Sequence, residues 1–181
     1  MRVSRKKIED NAVIAGLLEE SPVGRLATIG GDGYPMVKPV NFVYSQGRIY
    51  FHSAREGEKI EDIKSDGRVC FEIDLPIACA RGTGSPCETG YLYRSLIIKG
   101  KAAIVEELEE RISALKALME KYRPEGGYGP FPEDKLALTA VIRVDIEEMT
   151  GKEDLGKGRM RERVLALLDK KTPLPVALEK E

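Results

Sequence analysis

The sequence holds no tryptophan, one histidine and three cysteines in 181 residues, and its aromatic fraction is 6%. An odd number of cysteines cannot build a disulfide framework and suits a reducing compartment. Cys79 and Cys87 stand eight residues apart, a spacing that fits no common zinc site, and Cys70 sits in an apolar strand pattern, so no metal is expected. There is no apolar run near the ~20 residues of a membrane span. The basic start, Met1 to Lys7, leads into Ile8-Glu9-Asp10-Asn11 without the apolar stretch of a secretory signal. Charge excess is also missing: 29 Lys and Arg face 30 Asp and Glu, a formal net charge of −1. A general nucleic-acid binder would carry a basic surplus. These absences leave a cytoplasmic chain with no nucleic-acid or membrane partner. Paired carboxylates, a Ser-His-Asp set and a phosphate-loop signature are missing too, so hydrolase and NTPase chemistry have nothing to stand on.

What is present reads as strands and helices in alternation. A short helix is capped by Asp10 or Asn11, carries Val13, Ile14, Leu17 and Leu18 on one face, and ends at Ser21-Pro22. Strands follow over 23–29, 34–44 and 48–53, separated by Gly30-Gly31-Asp32-Gly33 and Ser45-Gln46-Gly47, which predicts a three-stranded antiparallel meander. Pro35 and Pro39 lie inside the second strand and place it at an edge or a bulge. A helix over 56–64, a strand over 68–73 and a loop over 75–90 come next. A long strand over 91–105, with Gly100 a candidate bulge, leads into a helix over 106–122 whose apolar stripe is Leu108, Ile112, Leu115 and Met119. A last strand covers 140–146, and the tail carries an amphipathic stretch around Val164, Leu165, Leu167 and Leu168. The expected architecture is α+β and mainly β: a six-stranded antiparallel split β-barrel with flanking helices over 1–150, followed by an extension over 151–181 with a short amphipathic helix.

The chemistry concentrates between Ile49 and Lys64. A strand ends in His52-Ser53, passes Arg55 and Gly57 and enters a helix at Lys59. Unpaired N–H groups at a helix start, with Ser53, Arg55 and Lys59 as added donors, have the composition of a phosphate-ester site. The same residues equally describe a solvated helix start in which Lys pairs with Glu. His52 is the one group titrating near neutral pH, either a proton donor to a bound substrate or a half-buried strand histidine.

Read together, Gly24-Arg25-Leu26-Ala27-Thr28, Asp32-Gly33-Tyr34-Pro35, Pro39-Val40-Asn41-Phe42 and Ile49-Tyr50-Phe51-His52-Ser53-Ala54 with Gly57 and Lys59 resemble the FMN-binding split-barrel superfamily of pyridoxamine 5′-phosphate oxidase-like proteins. They are most similar to its nitroimidazole-resistance (Nim) family. Cys87, Tyr93-Arg94-Ser95-Leu96, Gly100-Lys101-Ala102 and Ile146-Glu147-Glu148-Met149-Thr150-Gly151-Lys152 fit the same order, so the resemblance spans about residues 10–152. It implies a homodimer with FMN at the subunit interface. Backbone of Val37, Lys38, Pro39, Val40 and Asn41 would line the isoalloxazine ring. Phe51, His52, Ser53 and Lys59 would hold the phosphate, Arg94 and Ser95 would reach the same cofactor, and His52 would take the catalytic, substrate-side role. The resemblance also shows a departure. Oxidases of pyridoxamine phosphate end in a segment containing Trp and rich in Arg and His, whereas this chain has no Trp and no His beyond His52. The implied activity is therefore an FMN-dependent oxidoreductase passing electrons to a small-molecule acceptor such as a nitro compound, with NAD(P)H a candidate donor. The alternative is a non-catalytic flavin or haem binding and storage protein of the same fold.

Overall fold

In a computed structural model of the chain, residues 6–82, 84–170 and 173–179 are described; the basic start at 1–5 lies outside them. The order along the chain is α1 (Asn11–Glu20), β1 (Gly24–Ile29), β2 (Pro35–Val40), β3 (Val43–Ser45), β4 (Arg48–Ala54), α2 (Glu58–Ser65), β5 (Arg68–Arg81), β6 (Gly90–Ile104), α3 (Leu108–Tyr122), α4 (Glu133–Leu138), β7 (Thr139–Asp154), α5 (Arg159–Asp169) and β8 (Val176–Glu179). Two compact units result: one of 1–17, 74–96 and 150–181, the other of 18–73 and 97–149.

The second unit holds the barrel. Its hairpins form where the sequence supplies residues that tolerate positive φ. Gly33 (φ 84°) turns β1 into β2, and Gln46 and Gly47 (φ 52° and 77°) turn β3 into β4 in a two-residue loop. The expected meander does not form. The hydrogen-bonding order is β2-β1-β5-β6-β7-β4-β3, which puts β2 and β3 at its opposite ends although only Asn41 and Phe42 separate them in sequence. Three residues of chain reach at most about 11 Å, so the two ends of this sheet stand close together and the unit is a split barrel. Tyr122 pins the break: its hydroxyl accepts from the Phe42 amide at 2.8 Å and shares its proton between the carbonyls of Pro22 (2.8 Å) and Phe42 (3.0 Å). As an end strand, β2 tolerates Pro35 and Pro39.

The α3 helix covers the β3–β4 hairpin. Ala114, Leu115 and Leu118 pack with Val43, Tyr50, Val105 and Val141. The buried face is thus 111/114/115/118 instead of the expected 108/112/115/119, and Leu108 is exposed. The rotation follows from Arg111, whose guanidinium turns inward to donate from Nη2 to the carbonyls of Leu136 (2.6 Å) and Thr139 (3.0 Å). Gly100 is continuous strand; a Cβ there would run into the carbonyl of Asp145. Cys70 is half-buried, as is Cys79, and Cys87 is exposed.

The first unit has its own core of Ile77, Ala78, Ala80, Leu92, Leu155 and Val164. The segment read as a loop over 75–90 is half strand, because β5 continues through Pro76 to Arg81 and pairs in parallel with β8. Of the tail's amphipathic stretch, Val164 is fully buried and Leu168 packs beside it, while Leu165 stays exposed. Asp10 caps α1, accepting from the Ala12 amide at 2.8 Å. Strands number eight among the described residues, two more than the expected six: β3 is split from β2 and β8 is added.

Candidate functional site

Alternation along a strand dictates what its residues can do. On β4, Ile49, Tyr50 and Phe51 are buried, His52 faces outward and Ser53 is half-exposed, opposite Val141 and Ala140 of β7. Phe51 is fully buried, so it can serve a ligand through backbone only. Beyond β4 the chain enters α2 through Gly57 at φ 116° and ψ 164°, a conformation open to glycine alone among the ordinary residues. No side chain caps the first turn of α2. Its amides and the positive end of its dipole therefore meet whatever lies before it.

Three basic groups gather there. Lys59 lies in the first turn, half-buried, its Nζ 5.5 Å from the centroid of the Phe51 ring. Burial, then the charge of Lys38, lowers the Lys59 pKa from its ordinary value. Burial, then the charge of Lys59, lowers that of His52, which keeps the imidazole neutral at pH 7. Lys38 comes from the inward face of β2, with Nζ 2.7 Å from Glu58 Oε2 and 3.9 Å from Asp62 Oδ2, but with hydrogen-bond geometry to neither. Asp62 is itself buried and accepts from Thr28 Oγ1 at 2.7 Å. Burial is the larger cause of the lowered pKa in both Lys59 and His52, and the charge of a neighbouring base adds to it. An anion arriving at the α2 start would favour the protonated forms of both. Because Lys38 Nζ is shut off from solvent, it acts on such an anion through its field and Lys59 by contact.

On β2 the outward positions are Pro35, Val37 and Pro39, while Val40 is buried and the following Asn41 is exposed. Their cross-strand partners on β1 are Ile29, Ala27 and Arg25, so the outer face of this hairpin is largely apolar. Val37 is 59% exposed and Ile29 36%, with Tyr34 at the turn 71% exposed. A flat ring can lie along that backbone.

Arg94 and Ser95 belong to the first unit, where Arg94 donates from Nε to Glu153 Oε2 at 3.1 Å. Arg55, expected among the phosphate donors, lines a separate small cavity with Lys64 and Arg111. One contributor escapes a reading of the sequence: Lys38 reads there as backbone lining. The alternation Met36, Lys38, Val40 on an inward face was the available signal for Lys38.

Residues 10–153 match the family described as pyridoxamine 5′-phosphate oxidase. No curated protein matches the sequence. Among solved structures, a Bacteroides thetaiotaomicron protein provisionally described as a 5-nitroimidazole antibiotic resistance protein is 26% identical, with a TM-score of 0.71 over 81% of this chain and 86% of that one. The flavocytochrome Anf3 from Azotobacter vinelandii (20% identity, TM-score 0.74, 92% and 77% covered) shares the fold. So does the FAD and heme binding protein from Mycobacterium smegmatis (18% identity, TM-score 0.74, 89% and 79% covered). Among the described residues no helix is long and apolar enough to cross a membrane. With most of its length matched by the family and the split barrel in place, the chain belongs to the pyridoxamine 5′-phosphate oxidase family.

Proposed function

We propose that the protein is an FMN-binding flavoprotein of the cytoplasm, an oxidoreductase that passes electrons to small oxidants such as nitro compounds. The observation that carries this reading is the gathering of His52, Lys59 and Lys38 at the uncapped start of α2, where among the described residues neither His52 nor Lys59 has an ion-pair partner. Lys59, the first-turn amides and the Ser53 hydroxyl hold the phosphate of the cofactor, with Phe51 contributing backbone. The backbone of Val37, Lys38, Pro39, Val40 and Asn41 flanks the ring. When bound, FMN supplies the electron-transfer chemistry.

The protein's own residues orient and protonate. A neutral imidazole on the outward face of β4 suits His52 to hydrogen-bond a substrate and to hand on a proton as charge develops. The exposed apolar face of the β1–β2 hairpin supports a homodimer, since contiguous exposed apolar surface marks interaction sites. In that dimer Arg94 and Ser95 reach the same cofactor. The nitro-compound assignment draws on the Bacteroides thetaiotaomicron protein and its description. Three unbridged cysteines fit the cytoplasm, where thiols stay reduced. NAD(P)H is the proposed donor.

An absorbance spectrum of the purified protein before and after adding FMN tests the reading. The expected result is a flavin band that survives gel filtration and bleaches with a donor, then returns with a nitro acceptor. Uptake of FMN with no turnover for any donor–acceptor pair favours the second reading, flavin storage. A Soret band lost in His52→Ala favours haem binding, for which His52 is the one available imidazole.

A further inference from the structure

Backbone that leaves a sheet must find new hydrogen-bond partners, and the break of this barrel is where that demand falls. Asn41 and Phe42 lie between the last rung of β2, Val40 opposite Gly24, and the first of β3, Val43 opposite Tyr50, so neither belongs to a ladder. Tyr122, at the end of α3, serves both backbone groups of Phe42 with one hydroxyl, at 2.8 Å from the amide and 3.0 Å from the carbonyl. The same hydroxyl reaches the Pro22 carbonyl, just ahead of β1, at 2.8 Å.

The Phe42 side chain is held as firmly. It is fully buried and meets the Phe71 ring edge-on, with 5.0 Å between centroids. Lys121 Nζ stands 3.7 Å from the Phe42 ring centroid, a cation–π contact, and donates to the Leu18 carbonyl near the end of α1 at 2.9 Å. Burial lowers the Lys121 pKa to about 8 although Glu19 raises it, so at pH 7 the group over the ring is a cation. Chain connection alone asks for none of this: the β3–β4 turn is made through positive φ at Gln46 and Gly47. Two neighbours on α3 hold one residue by its amide, its carbonyl and its ring, and that residue directly follows the backbone of 37–41.

We infer that Tyr122 and Lys121 are positioning residues for the flavin ring, fixing the Asn41-Phe42 corner and with it the place at which the backbone of 37–41 meets the ring. The inference rests on the proposed flavin reading and adds to it two side chains that act through Phe42. A ligand surface set beforehand spares the ordering cost at binding.

Titration of the full-length protein with FMN and with riboflavin, read by visible circular dichroism of the bound flavin, tests it in Tyr122→Phe, which removes only the hydroxyl. Both dissociation constants are expected to rise by the same factor, about tenfold, as loss of an anchor bonded to two backbone groups requires. The flavin band is expected to change shape. Lys59→Ala, by contrast, is expected to raise the constant for FMN alone. Lys121→Met keeps an apolar stem on Phe42 without the charge and is expected to raise both constants about threefold. It decides the matter where Tyr122→Phe fails to fold. Unchanged constants and an unchanged band, with only the melting temperature lowered, mean that the pair holds the fold alone and overturn the inference. A rise confined to FMN places the effect at the phosphate and overturns it too. A wild-type protein that binds neither flavin brings down the flavin reading and this inference together; wild-type binding with indifferent variants brings down this inference alone.

Discussion

Two groups of charges in this molecule look alike in composition and differ in how they are balanced. In the first unit Glu153 receives Arg94 at 3.1 Å and Arg161 at 3.3 Å, and Lys6 pairs with Asp154. In the second, His52, Lys59 and Lys38 crowd the start of α2, and the lowered pKa values of His52 and Lys59 register both burial and mutual repulsion. Each cation of the first group has its carboxylate. The second has Glu58 and Asp62 beside Lys38 and, among the described residues, no ion pair at Lys59 or His52. A balanced group stabilises what it joins; an unbalanced one lowers stability until an anion from outside completes it. On the proposed reading that difference, more than the number of basic residues, separates a structural network from a binding site.

The contrast is sharpest at Lys59. Lys59→Ala is expected to weaken FMN binding by about 1.5–3 kcal/mol, as loss of a charge-assisted bond should, measured by titration calorimetry. The approach to α2 comes next. Gly57→Ala forces a side chain into φ 116°, and the expected loss in chemical denaturation is about 1–3 kcal/mol of stability. His52 gives a pH signature of the imbalance. Its folded-state pKa is lowered from 6.5, so between the lowered value and 6.5 the unfolded chain binds more protons. Stability therefore rises with pH across that window, and the rise is expected to flatten in His52→Gln. In Lys59→Met the imidazole pKa, followed by NMR, moves up toward 6.5. The smallest effect belongs to the balanced group: Arg161→Ala removes a half-exposed arm and is expected to cost under about 1 kcal/mol, with FMN affinity unchanged. A larger loss of affinity there would break the distinction between the two groups.

Much of this was legible beforehand, for identifiable reasons. The turns at 30–33 and 45–47 announce themselves because positive φ demands particular residues. The segment from His52 to Lys59 shows its donors in order, and Pro35 with Pro39 marks the end strand. Other features depend on contacts between distant residues. The break at Asn41-Phe42 exists because Tyr122, some eighty positions away, binds both backbone groups of Phe42. Pro76 reads as a strand breaker, yet β5 runs through it to meet β8. The face of α3 turns because two carbonyls draw Arg111 inward, and a helical wheel counts arginine as solvent-facing. The role of Lys38 shows only when Glu58, Asp62 and Lys59 are brought beside it.

The central claim is that the cation set at α2 holds a phosphate. Parallel equilibrium titrations with FMN and with riboflavin, identical but for that phosphate, test it most directly. FMN should bind at least about tenfold more tightly, the gain expected of a charge-assisted contact. Equal affinity for the two would show that the phosphate meets nothing at this site, and would contradict the account.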